Sequence, residues 1–152
     1  MHVSTKRLLS ILLCLAMVLA LLPMAVFAET ATILYVQPNS NWNEANARFA
    51  AYFFGNGDTW ADCTDADGDG IYEVEVPAGF TSVIFCRMNP GAAENTWDNK
   101  WNQTSDLAIP ADGTNCYVVA PGTWDKGAGS WTEFTPDGGV GTTEAIVNEY
   151  YL

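Results

Sequence analysis

Three tryptophans in this chain sit among residues that do not belong in a core. Trp42 lies between asparagines, Trp97 in Asn95-Thr-Trp-Asp-Asn99, and Trp101 in Lys100-Trp-Asn-Gln103. A second ring-rich stretch, Ala51-Tyr-Phe-Phe54, precedes Trp60. Flat rings stack on the C–H faces of a pyranose, and amide and carboxylate side chains hydrogen-bond its hydroxyls. Rings mixed with short polar residues are therefore the chemistry of sugar recognition.

Other chemistries are poorly served. The single histidine is His2, inside an N-terminal apolar leader, so the rest of the chain has no Ser-His-Asp triad, no Cys-His pair and no histidine metal ligand. Asp58, Asp62, Asp98 and Asp106 could supply a carboxylate pair for glycoside hydrolysis. A small domain offers such a pair little cleft, however, and acids at turns usually form a solvated face, so no catalytic residue is expected. Asp65-Ala-Asp-Gly-Asp-Gly70 matches the first positions of a calcium loop, but position twelve is Val76 where a bidentate Glu is required. A tight hairpin turn explains those residues better, so neither a metal nor another cofactor is expected.

The leader is read as a secretory signal over residues 1–28. Lys6-Arg7 precede the apolar run Leu8–Leu22, and Val26-Phe27-Ala28 offers the small residues of a cleavage site. The run is too short for a membrane span, and the mature chain is not expected to insert. Secretion or display at the cell surface follows. Residues 29–152 carry all 18 acidic residues and only Arg48, Arg87, Lys100 and Lys126 as bases, a net charge of −14. Such a surface repels phosphate backbones and anionic membranes, so nucleic acid is not an expected partner. Cys63, Cys86 and Cys116 permit one disulfide in any of three pairings, or none at all if they are small buried residues.

The elements that must position these residues read as β. Strands are expected at Ile33–Val36, Arg48–Phe54, Ile71–Val76, Thr81–Met88, about 106–109, Asn115–Val119 and Trp131–Phe134, with Gly, Pro and Asn between them. No segment has a helical period. The expected fold is an all-β, immunoglobulin-like antiparallel sandwich over residues 29–134. Residues 135–152 read as a linker that ends in what looks like the start of a further strand, the mark of a longer protein with more domains beyond Leu152, or else of a frayed tail. Register decides the site. If Phe49, Ala51 and Phe53 point inward, then Arg48, Ala50, Tyr52 and Phe54 point out, and Trp60 in the following loop completes a platform of three rings. A slipped register would bury Tyr52 and Phe54, but it would also turn the Arg48 guanidinium inward.

Asn39-Ser-Asn41 with Trp42, Ala51-Tyr-Phe-Phe54, Trp60, Asp67-Gly-Asp-Gly-Ile-Tyr72, Val83-Ile-Phe85 and Asn102-Gln-Thr-Ser-Asp-Leu107 follow the order typical of starch-binding modules. Over residues 32–134 the chain resembles carbohydrate-binding module family 26, with family 25 as its close neighbour. The resemblance implies a non-catalytic immunoglobulin-like sandwich that binds starch and malto-oligosaccharides, usually appended to an amylase or a surface starch-adherence protein. It assigns the platform to Tyr52, Phe54 and Trp60, with Phe54 in place of the more usual tyrosine, and makes Gln103 and Lys100 candidate hydroxyl partners. The stretch from Met88 to Trp101 is long for the family, and its Trp97 and Trp101 either extend the platform or cover the sandwich edge. The alternative function is a cell-surface structural or protein-interaction module. If each ring buries on the order of 80 Å², it contributes roughly 2 kcal/mol, which places one module between roughly micromolar and millimolar affinity once binding entropy is subtracted.

Overall fold

The computed structural model describes residues 4–7, 9, 10 and 29–137. The chain divides into two units, Met1–Thr30 and Ala31–Leu152, and the fold below is that of the second. The expected signal segment, 1–28, lies almost wholly outside the described residues, as does most of the expected linker, 135–152. Among the described residues no helix is long and apolar enough to cross a membrane.

Among the described residues nine strands follow one another: β1 Ile33–Gln37, β2 Arg48–Phe54, β3 Asp58–Cys63, β4 Tyr72–Glu75, β5 Ser82–Met88, β6 Lys100–Gln103, β7 Leu107–Ala108, β8 Cys116–Val119 and β9 Gly129–Thr132. They form the expected all-β sandwich. One sheet runs β4-β1-β8-β9, and the other β3-β2-β5-β6 with β7 also on β5. Every pair is antiparallel except β1 with β8, which is parallel. Two strands go beyond the sequence reading. β3 takes the place of the loop expected to carry Trp60, and β6 forms from the polar run Lys100–Gln103.

The core lies between the sheets. Leu34, Val36, Val74, Tyr117 and Val119 from the first meet Phe49, Ala51, Phe53, Val83 and Phe85 from the second. Alternation along β2 and β5 fixes which side chains face inward, because a slip of one residue would expose this whole set. Ala50, Ile84, Cys86 and Met88 consequently point to the opposite face, where they form a second buried cluster under Tyr52, Phe54 and Trp60. An outer sheet face that buries apolar residues needs a cover, and the rings of Tyr52, Phe54 and Trp60 supply it.

Candidate functional site

The register of β2 is the one that places Tyr52 and Phe54 outward. Tyr52 pairs with Trp60 on β3 and with Ile84 on β5, and Phe54 pairs with Asp58 and Ser82. Because directly opposed residues share a face, Trp60 stands beside Tyr52 as a strand neighbour. Ring centres are 5.0 Å apart for Tyr52–Trp60 and 6.1 Å for Tyr52–Phe54. Trp97 is the fourth ring. It meets Tyr52 at 4.7 Å and Trp60 at 4.8 Å, both edge to face, and remains 42% exposed. Trp97 therefore belongs to the ring cluster.

The loop between β5 and β6 carries Trp97 to this place, and Arg48 holds the loop. Arg48 Nε donates to the carbonyls of Asn89 (3.2 Å) and Ala92 (2.7 Å), and Nη2 donates to that of Glu94 (2.7 Å). Nη1 donates to Asn95 Oδ1 and lies 3.6 Å from Asp62, whose carboxylate also accepts from Asn95 Nδ2. The Arg48–Asp62 pair is itself weak, at 3.6 Å and with the Asp62 carboxylate exposed. What matters is that one planar fork engages three loop carbonyls and one loop amide together. Trp97 then opens a short 3₁₀ turn, in which the Asn99 amide donates to both the carbonyl and Oγ1 of the capping Thr96.

The two polar residues implied by the resemblance lie on the same face. Lys100 pairs with Met88 and Gln103 with Cys86, both on the outward side of β5. Lys100 Nζ donates to Gln103 Oε1 at 2.8 Å and stands 6.0 Å from the Trp97 ring centre. Gln103 Nε2 donates onward to the Thr104 carbonyl. On the other side of the rings, Tyr52 is pushed above its ordinary pKa by burial first and then by the neighbouring Asp58 carboxylate. Tyr52, Phe54, Trp60, Lys100 and Gln103 are thus brought to one sheet face, with Trp97 added.

Trp42 has to be withdrawn from the sugar-facing set. It is only 1% exposed and packs on Phe49 with the rings 8° from parallel. Its asparagine neighbours build the loop around it: Asn39 Oδ1 accepts from the Trp42 amide, and Asn39 Nδ2 donates to the carbonyls of Ala120 and Thr123. The Trp42 indole N–H donates to the Trp124 carbonyl at 2.8 Å. A ring that plugs the end of a sandwich from a loop has no strand period, so its polar sequence neighbours mislead.

The Asp65–Gly70 loop forms the expected turn. Asp65 accepts from the amides of Gly68 and Gly70, Asp67 from that of Asp69, and Asp69 from that of Ile71. The three carboxylates come within 4.8 Å of one another at the surface. Cys63, Cys86 and Cys116 are free thiols, all buried. Burial pushes each of them up, Cys86 to about 12, with Lys100 pulling it back and Asp125 adding to the rise.

Sequence reasoning missed a second group. The Arg87 guanidinium lies over the rings of Trp101, at 4.6 Å, and Trp124, at 5.4 Å. Arg87 points to the inner side of β5, in line with Val83 and Phe85, and the register shift beside it leaves Trp101 without a partner in the β5–β6 ladder. Trp124 had no sequence signal of its own, since Gly122-Thr-Trp-Asp125 reads only as a turn. Comparison with known proteins adds no relative: no family model, no curated protein and no solved structure matches this chain.

Proposed function

We propose that this chain is a non-catalytic binding module for starch and related α-1,4-glucans, acting at the face built from Tyr52, Phe54, Trp60 and Trp97. The observation that carries the reading is the tilt of the rings. Tyr52, Trp60 and Trp97 stand 57°, 62° and 63° from one another at centre separations of 4.7–5.0 Å. A flat β-1,4-linked ribbon asks for coplanar rings, whereas α-1,4 linkages turn each glucose relative to the last. Rings that face in different directions suit the curved chain. Lys100 and Gln103 border the rings with one cation, an amide carbonyl and an amide N–H for the hydroxyls.

In this reading binding needs no bond-making residue, and affinity comes from C–H faces buried on rings that β2 and β3 already hold in place. The whole protein would use the module to hold itself, or an attached enzyme, on starch outside the cell, where weak single-site binding is multiplied by tethering. The test is calorimetry and affinity electrophoresis of residues 29–137 on soluble starch, with cellulose and xylan as controls. Starch alone should bind. Trp97→Ala, which removes an exposed ring and little core, should weaken binding about tenfold or more with the fold intact by circular dichroism. Equal binding to all three polymers, or to none, would overturn the reading.

A further inference from the structure

The cluster at Arg87 resembles a built display more than a patch of stray hydrophobics. Trp101 is 39% and Trp124 44% exposed, and with Trp97 they are the large apolar side chains of the described sandwich that stay most open. Beside them Arg87 is only 6% exposed, and each of its three nitrogens makes a hydrogen bond: Nε donates to the Trp42 carbonyl, Nη2 to the Glu44 carbonyl and Nη1 to Asn102 Oδ1. Both rings thus lie against a guanidinium held by three hydrogen bonds. Their backbones are pinned as well. The Trp42 indole holds the Trp124 carbonyl, Asp125 Oδ1 accepts from the Gln103 amide, and the Lys126 amide donates to the Gln103 carbonyl.

A pair of open rings on a rigid, hydrogen-bonded mount is pre-organised, which lowers the entropy lost by a ligand landing there. Charge narrows the ligand. An anion meets a mature chain with 18 acidic residues and four basic ones. A cation meets rings whose π density already faces a guanidinium, with a like charge just behind it. A neutral molecule with flat C–H faces and hydroxyls remains, and Asn102 and Asp125 at the rim offer partners for the hydroxyls. The geometry points to a second sugar-binding site at Trp101 and Trp124, separate from the Tyr52 cluster and taking the same class of α-glucan. This inference rests on the reading in the preceding subsection. Strand β6 lies between the two groups: Lys100 and Gln103 serve one, while Trp101 faces Arg87 in the other.

The test follows the indole N–H resonances of Trp60, Trp97, Trp101 and Trp124 in the ¹⁵N-labelled full chain during titration with maltoheptaose, with cellohexaose as control. In wild type all four should shift saturably with maltoheptaose. In Trp60→Ala the signals of Trp101 and Trp124 should still shift, and in Trp124→Ala, with Trp124→Phe as the milder change, those of Trp60 and Trp97 should. If Trp60 and Trp97 shift while Trp101 and Trp124 stay still, the glucan reading stands and the second site falls. The second site also falls if Trp60→Ala abolishes every shift while its spectrum stays folded. If no indole responds in wild type, both readings fall together.

Discussion

Cys86 lies directly beneath the site residues, opposite Ala50 on β2 and Gln103 on β6. Its thiol, pushed up to about 12 mainly by burial, makes it a sensor of folding in alkali. Below about pH 8.5 the thiol is neutral in both folded and unfolded chains, and its burial costs nothing electrostatically. As pH rises past that point the unfolded chain ionises and the folded one does not, so stability falls by up to about 1.4 kcal/mol per pH unit per thiol until the folded pKa is reached. Cys63 and Cys116 shift in the same direction, also chiefly through burial. Urea unfolding at pH 7, 9 and 10 should show the loss, and Cys86→Ala should make the slope shallower. A pH-independent midpoint across that range would mean the thiols are open to solvent.

At the scale of elements, the loop between β5 and β6 matters most, because it delivers Trp97 without any strand to hold it. Arg48 substitutes for that strand, and its removal should free the loop while leaving the sandwich folded. Arg48→Ala should raise acrylamide quenching of tryptophan fluorescence and lower α-glucan affinity about as much as Trp97→Ala does. Arg48→Lys should rescue little, because a point charge cannot engage three carbonyls in one plane. If quenching is unchanged in Arg48→Ala, the loop is held by Thr96 and its own packing instead.

How much was legible also divides by element. β2 was read with its final limits and register, since Phe49, Ala51 and Phe53 alternate with a charged neighbour that fixes the sides. β3 was missed because its outer face carries Asp58 and Asp62 around Trp60, a pattern that looks like a loop until the partner strand is known. β6 was missed for a similar reason: its apolar residue, Trp101, sits at a register shift and covers Arg87, so no alternation shows. Tyr52, Phe54 and Trp60 were legible from spacing. The contact of Trp97 with them was not, because it depends on a loop folding back over 40 residues from β2. Trp42 misled because packing at the end of a sandwich is set by tertiary contacts alone.

For the whole molecule, acidity and neutral ligands are independent of each other. The net charge of −14 on residues 29–152 opposes the approach of anionic polymers, whereas a glucan carries no charge for it to attract or for salt to screen. The dissociation constant for maltoheptaose should therefore stay within about twofold between 20 mM and 1 M sodium chloride. A steep salt dependence would indicate that an ionic group takes part in recognition.

The strand order carries a consequence for how the molecule is made. The sheet that bears the rings, β3-β2-β5-β6 with β7, is complete by Ala108, although β4 of the opposite sheet interrupts it between β3 and β5. The opposite sheet is assembled differently: β1 lies beside β8, roughly 80 residues later, and must wait for it. Closing that long loop is the slow, entropically expensive step in folding such a domain. During synthesis, every strand of the ring-bearing sheet emerges before β8 does, so that sheet can pair while β1 still has an open edge. The sandwich is sealed only when Cys116–Val119 and then β9 arrive, so the sheet that carries Tyr52 and Trp60 is laid down before the strands that close the other sheet.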